Sequence, residues 1–242
     1  MSPHELLFAL ACMGMYVVLL STMLRGSAAR YPFLFAYLIV NLLSTVVQGS
    51  FKYYFGPRSR EYVLAYWVSD FVGTFLILMI IIHLIRAAME RHKYRNAVYF
   101  GLLLGAVTTG VLSVVFTHSH SWDKMFRPLM TKVGRDYYFA AVLLNAILWI
   151  MLTKSWNPNK QLYLITSGLG LQLSGAAIAH ALRVTHHFMS LGAYLLAPTY
   201  LLNLYVWYIA LAKLPSEAPV VAGTEMPPAA APQPKPTSFH YH

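Results

Sequence analysis

Seven apolar stretches, at 5–24, 32–54, 62–87, 95–117, 136–154, 161–184 and 191–213, constrain this chain more than any other feature. A bilayer's hydrocarbon core is about 30 Å thick and takes roughly 20 apolar residues of helix to cross. Each stretch is close to that length. A backbone in lipid has no water to bond, so a single spanning segment of this kind has to be an α-helix. Of the 242 residues, 58% are hydrophobic and only 11% are charged, where a soluble domain carries about a quarter charged residues. The sequence therefore predicts an all-α, polytopic integral membrane protein: a seven-transmembrane-helix bundle over 1–213, then a tail at 214–242. The tail holds seven of the thirteen prolines and has no helical periodicity, which predicts a disordered, partly polyproline segment.

Charge then orients the bundle. The 18 Lys and Arg against 8 acids would suit a nucleic-acid binder, but the basic residues sit in short clusters between apolar runs, as they do beside a membrane. The expected partners are the lipid bilayer and a protein reached through the tail or the basic loops, with no nucleic acid. An odd number of spans places the termini on opposite faces. Face A holds the N-terminus and the connections after the second, fourth and sixth spans, and face B holds the tail. Leaving the tail aside, the face B connections carry nine basic residues, Arg25, Arg30, Arg86, Arg91, Lys93, Arg95, Lys154, Lys160 and Lys213, against eight on face A. The margin is one residue, but Arg25 and Arg30 flank the first span and four of the others crowd the third connection. This predicts an inner (plasma) membrane protein with its N-terminus outside and its C-terminus cytoplasmic. The first run has no basic segment before it, so it reads as a retained helix instead of a cleaved signal.

Polar residues inside the apolar runs are the candidates for function, because they are costly in lipid. A rise of about 1.5 Å per residue converts position into depth. Asp70 and Thr199 fall about 12 Å below face A, Gln48 about 9 Å and His180 about 6 Å, forming one polar layer. Asn145, Gln172 and Asn203 form a second, roughly 14 to 18 Å deep. Gln172 and His180 are eight apart and share one face of the sixth helix, linking the layers. Asp70 stands first among these, with His180 as its expected partner: either a proton- or cation-coupling carboxylate beside a titratable imidazole, or interhelical glue. Asn145, Gln172 and Asn203 fit interhelical hydrogen bonding first and ligand contact second. The small-residue runs of the sixth helix and of Gly101 and Gly105 in the fourth read as packing surfaces, and Pro198 should kink the seventh. His83 reads as a satisfied histidine near face B. On face A, His118, His120, His186 and His187 offer imidazoles to a metal, with solvated loops as the plainer reading.

No phosphate-binding loop, zinc-protease or nucleophile-elbow motif is present, and the seventh run contains no intramembrane lysine for a retinal linkage. Neither an enzyme nor a cofactor is expected. The strings YPFLFAYLIVNLL, YVLAYWVSDFVGTFL and YLLNLYVWYIALAK resemble a group of small bacterial multi-helix integral membrane proteins of unassigned function. In that group an aromatic-Pro-Phe sequence opens the second helix, and Tyr-Trp-x-Ser precedes an acid in the third, more often Glu. Asp70 takes the acid's place here. The resemblance implies a multi-helix membrane fold across 25–213 and no activity. The leading expectation is a sensing, scaffold or assembly subunit without its own catalytic centre. The alternatives are a small secondary transporter that uses Asp70 as coupling group, and a metal-binding protein with its histidines on face A.

Overall fold

The structure, a computed structural model, describes residues 3–57, 59–89, 92–115, 122–154, 159–184 and 189–213, without the side chains of 3–5, 113–114, 122–135, 179–184 and 189–197. Among the described residues the chain is entirely helical. The α-helices are α1 (Pro3–Thr22), α2 (Pro32–Tyr54), α3 (Arg60–Ala88), α4 (Arg95–Val115), α5 (Trp122–Lys154), α6 (Lys160–Val184) and α7 (Met189–Tyr208). α1 runs into a wide π turn at Met23–Ser27, where Gly26 takes φ 149°, a backbone that glycine adopts without a Cβ clash. A second π turn, Ile209–Lys213, ends α7. Ser59 caps α3 by accepting from the Tyr62 N–H at 3.1 Å, and Asn159 caps α6 by accepting from the N–H groups of Gln161 and Leu162 at 3.0 and 3.1 Å.

Five helical segments are long and apolar enough to cross a membrane: Leu6–Ser27, Pro32–Tyr54, Arg60–Ala88, Arg95–Leu112 and Asp136–Lys154. α6 has the length, but Thr166, Ser167, Gln172, Ser174 and three glycines dilute its hydropathy. Part of α7 lies outside the described side chains. One boundary departs from expectation. The segment WDKMFRPLMTKVGR, read from sequence as connection, is helical and begins α5 at Trp122. It is too polar for a bilayer, but a helix that leaves lipid loses nothing by continuing, since its backbone bonds stay within the segment. The tail at 214–242 and the face A segments with His118, His120, His186 and His187 lie outside the described residues.

The helices form a ring in the order α1, α2, α3, α5, α6, α7, with α7 closing back on α1 and α4 packed outside against α3 and α5. α3 is half buried over its most apolar window (50%) and α4 barely so (6%), so α3 is a core element and α4 a peripheral one. Outward faces are apolar: Phe139, Leu143, Ile147 and Ile150 of α5 are exposed, while Tyr137, Ala141, Asn145, Leu148 and Leu152 on the opposite stripe are buried. This is the inverse of a water-soluble helix. Burial is also asymmetric along the helices. Along α1, α2 and α3, whose side chains are described nearly throughout, it concentrates in the C-terminal halves of α1 and α3 and in the N-terminal half of α2, which is the face B end of these three helices.

Face B is also closed by polar contacts. The Tyr31 hydroxyl donates to Gln161 Oε1 at 3.3 Å, and Gln161 Nε2 donates to the Ala210 carbonyl at 3.2 Å. His83 Nε2 lies 3.1 Å from the Arg30 carbonyl and its ring meets Phe33 edge-on, the satisfied surroundings expected for it.

Candidate functional site

On α2, Asn41, Ser44, Thr45 and Gln48 recur at i, i+3, i+4 and i+7, so they share one stripe of the helix. The other side of the same turns, Leu43, Val46 and Val47, is exposed and apolar. The polar stripe faces inward across a cleft. With Phe8, Ala9, Cys12 and Tyr16 of α1 and Tyr200 of α7 it lines a cavity of about 270 Å³ in the face A half of the bundle. From Gln48 to Asn41 the cleft descends two turns, about 10 Å. Ser44 and Gln48 have no hydrogen-bond partner among the described residues, while Thr45 Oγ1 donates to the Asn41 carbonyl at 2.8 Å.

Below the cleft the polar groups join into a relay. The hydroxyls of Tyr16 and Tyr200 are hydrogen-bonded to each other. Tyr200 also donates to Asn41 Oδ1 at 3.2 Å, and Asn41 Nδ2 donates to the Tyr37 carbonyl at 2.8 Å. Gln172 Nε2 donates to the Tyr37 hydroxyl at 2.8 Å, and Asn203 Nδ2 donates to Gln172 Oε1 at 2.6 Å. Four helices, α1, α2, α6 and α7, are tied by this chain of side chains. Its lower end meets the buried core: Trp207 stacks edge-on against Tyr37 and donates from Nε1 to the Ile165 carbonyl at 3.0 Å.

Of the residues singled out from the sequence, Gln172 and Asn203 are directly bonded, and Gln48 lies in the cleft above them. Asn145, at the same depth, belongs elsewhere: it packs from α5 onto α6 at Gly170. The Oδ1 atoms of Asn145 and Asn203 are buried without a hydrogen-bond partner among the described residues. Thr199 packs on Gly175 and Asn203 on Gly168. The small residues of α6 thus make room for particular polar side chains of its neighbours. In α4, by contrast, a Cβ on Gly101 or Gly105 would meet nothing within 4 Å, so the packing surface expected there has no counterpart among the described residues.

Asp70 occupies the inward stripe of α3, one turn before buried Thr74, whose Oγ1 donates to the Asp70 carbonyl at 2.8 Å. Its side chain is nonetheless exposed. The carboxylate is near enough to Tyr37 and Tyr138 to act on both hydroxyls electrostatically, but it does not line the cleft. The expected partner, His180, has its side chain outside the described residues. Tyr16, Tyr37, Asn41 and Tyr200 carry the site and were not anticipated. The period of the α2 polar stripe was the available signal for Asn41; the tyrosines gave none, since their burial depends on which helices meet. No protein family, curated protein or solved structure matches this chain.

Proposed function

We propose that the chain is a seven-helix integral membrane protein, with α6 and α7 completing the spans, that acts as a sensing subunit without a catalytic centre. In this reading a small molecule enters the cleft from face A, and the relay from Tyr16 to Asn203 couples its occupancy to the buried core toward face B. The observation that carries the reading is the polar stripe of α2, with Ser44 and Gln48 unpartnered among the described residues in a cleft whose floor is closed by Tyr16 and Tyr200. Face B is cytoplasmic, following the basic residues beside the first and third spans. A protein partner takes the signal through the tail or the basic face B connections. The resemblance to small bacterial multi-helix membrane proteins agrees with this architecture and adds no activity.

Accessibility of one introduced thiol tests the reading. In a Cys12→Ser background, Gln48→Cys is expected to react with a membrane-impermeant maleimide applied from the outside of right-side-out vesicles and to stay unmodified in inverted ones. Reaction from both sides would replace sensing with alternating access. That second reading, a small transporter, draws on exposed Asp70 in the inward stripe beside Tyr37 and Tyr138.

A further inference from the structure

We infer that the cleft between α1, α2 and α7 binds a small uncharged molecule rich in hydroxyl groups, of the size and chemistry of a sugar ring or cyclic polyol. The inference rests on the cleft being a ligand site and adds the class of ligand.

Charge supplies the first constraint. No carboxylate, ammonium, guanidinium or imidazole lines the cavity among the described residues. An ion taken below the membrane surface without a counter-charge is strongly disfavoured. Lys52 lies one turn past Gln48 on the same stripe, beyond the residues lining the cavity. A charged ligand would therefore be held at the mouth, away from the polar floor.

The second constraint is the mixture of donors and acceptors. Gln48 presents both amide N–H groups and its carbonyl, and Ser44 a hydroxyl, all unsatisfied within the described chain. The Thr45 hydrogen is committed to the Asn41 carbonyl, which leaves its oxygen as an acceptor. Tyr16 and Tyr200 close the floor. Groups that both give and take hydrogen bonds along two turns of one helix match a ligand whose own groups do both, as neighbouring hydroxyls do. A purely apolar ligand would leave Gln48 and Ser44 desolvated and unpaired.

Shape supplies the third. Phe8, Ala9 and Cys12 form an apolar wall opposite the polar stripe, suited to the C–H face of a ring whose edges carry hydroxyls. About 270 Å³ is small among ligand pockets, which run from about 300 to 1,000 Å³. Free polyols and the sugar headgroups of glycolipids share this chemistry.

The test is protection of an Ala9→Cys thiol on the wall of the cleft, in a Cys12→Ala background that keeps that wall apolar and leaves Gln48 and Ser44 in place, using the full chain in nanodiscs and a water-soluble maleimide. Free myo-inositol and glucose, and nanodiscs containing a monoglucosyl diacylglycerol, are the neutral probes; glucose 6-phosphate is the anionic one. Protection of about tenfold by a neutral probe near ten times its Kd, abolished by Asn41→Leu, is expected. Protection by the free compounds assigns a soluble ligand, and protection by the glycolipid alone assigns a headgroup. Absence of protection by every neutral probe, or stronger protection by glucose 6-phosphate, overturns the ligand class while a reactive thiol keeps the cleft. An unreactive thiol overturns the ligand site itself.

Discussion

Replacing Gln172 with Met keeps the volume of the side chain and removes both of its hydrogen bonds, to the Tyr37 hydroxyl at 2.8 Å and from Asn203 at 2.6 Å. Hydrogen bonds between helices in a bilayer are worth about 0.6 kcal/mol on average and up to about 1.7. The two together amount to about 1 to 3 kcal/mol. Their losses are unequal. Tyr37 keeps Tyr200 and Asn41 within reach, whereas Asn203 is fully buried (0% exposed) and its Oδ1 already lacks a partner among the described residues. Losing the Nδ2 bond leaves a whole amide unpaired, which places the expected destabilisation of Gln172→Met at about 2 to 3 kcal/mol. Asn203→Leu alone should cost about 1 kcal/mol, because it orphans Gln172 Oε1 but also removes an unpaired oxygen. In the Gln172→Met background the same substitution should become neutral or stabilising, since apolar groups then replace both partners. Unfolding titrations with SDS in mixed micelles, followed by circular dichroism, measure all four corners of this cycle. A Gln172→Met protein within about 0.5 kcal/mol of wild type, or additive effects in the double variant, would refute the relay.

Two further outcomes follow from the packing. Gly168→Ala would set a Cβ 2.6 Å from Asn203 Oδ1 and 2.7 Å from Trp207 Nε1 and should destabilise by about 1 to 3 kcal/mol; Gly101→Ala meets open space and should be neutral or gain up to about 1 kcal/mol of helix propensity, both read in the same titration. Cys12, the single cysteine, is only 4% exposed, so N-ethylmaleimide should modify it only after unfolding in SDS, scored by mass, while the Gln48→Cys thiol reacts in the folded protein.

Depth was legible in the sequence, and direction around the helix largely was not. The apolar runs gave the helices because lipid allows no other single-segment solution, and counting residues along them placed Gln172 and Asn203 at one level, where they are bonded. The same count put Asn145 beside them, yet it points from α5 toward Gly170; depth alone does not say which neighbour a side chain meets. The start of α5 was missed because Trp122–Asp136 has no apolar face to lipid to reveal its period. Tyr16, Tyr37 and Tyr200 lie inside apolar runs with no period that sets them apart, and only the meeting of α1, α2 and α7 brings them together. The polar period of Asn41, Ser44, Thr45 and Gln48 could have been read, since four polar residues on one stripe of an apolar helix need a wet or polar neighbour.

The relay lies between the cleft and the buried core toward face B, and α7 carries a bonded group at each of these levels. It carries Tyr200 at the cleft floor, Asn203 in the relay and Trp207 in the core. It packs along glycine positions of α6, Gly168 and Gly175, that offer no Cβ to interlock with it. A ligand that draws the Tyr200 hydroxyl away from Asn41 acts first on α7, and through α7 on the Ala210 carbonyl that Gln161 holds at face B. Such coupling has energetic content only if the ligand binds the two positions of α7 unequally. Gln161→Leu tests this: with the face B latch released, a ligand that favours the shifted α7 should bind more tightly, and one that merely fills the cleft should bind with unchanged affinity.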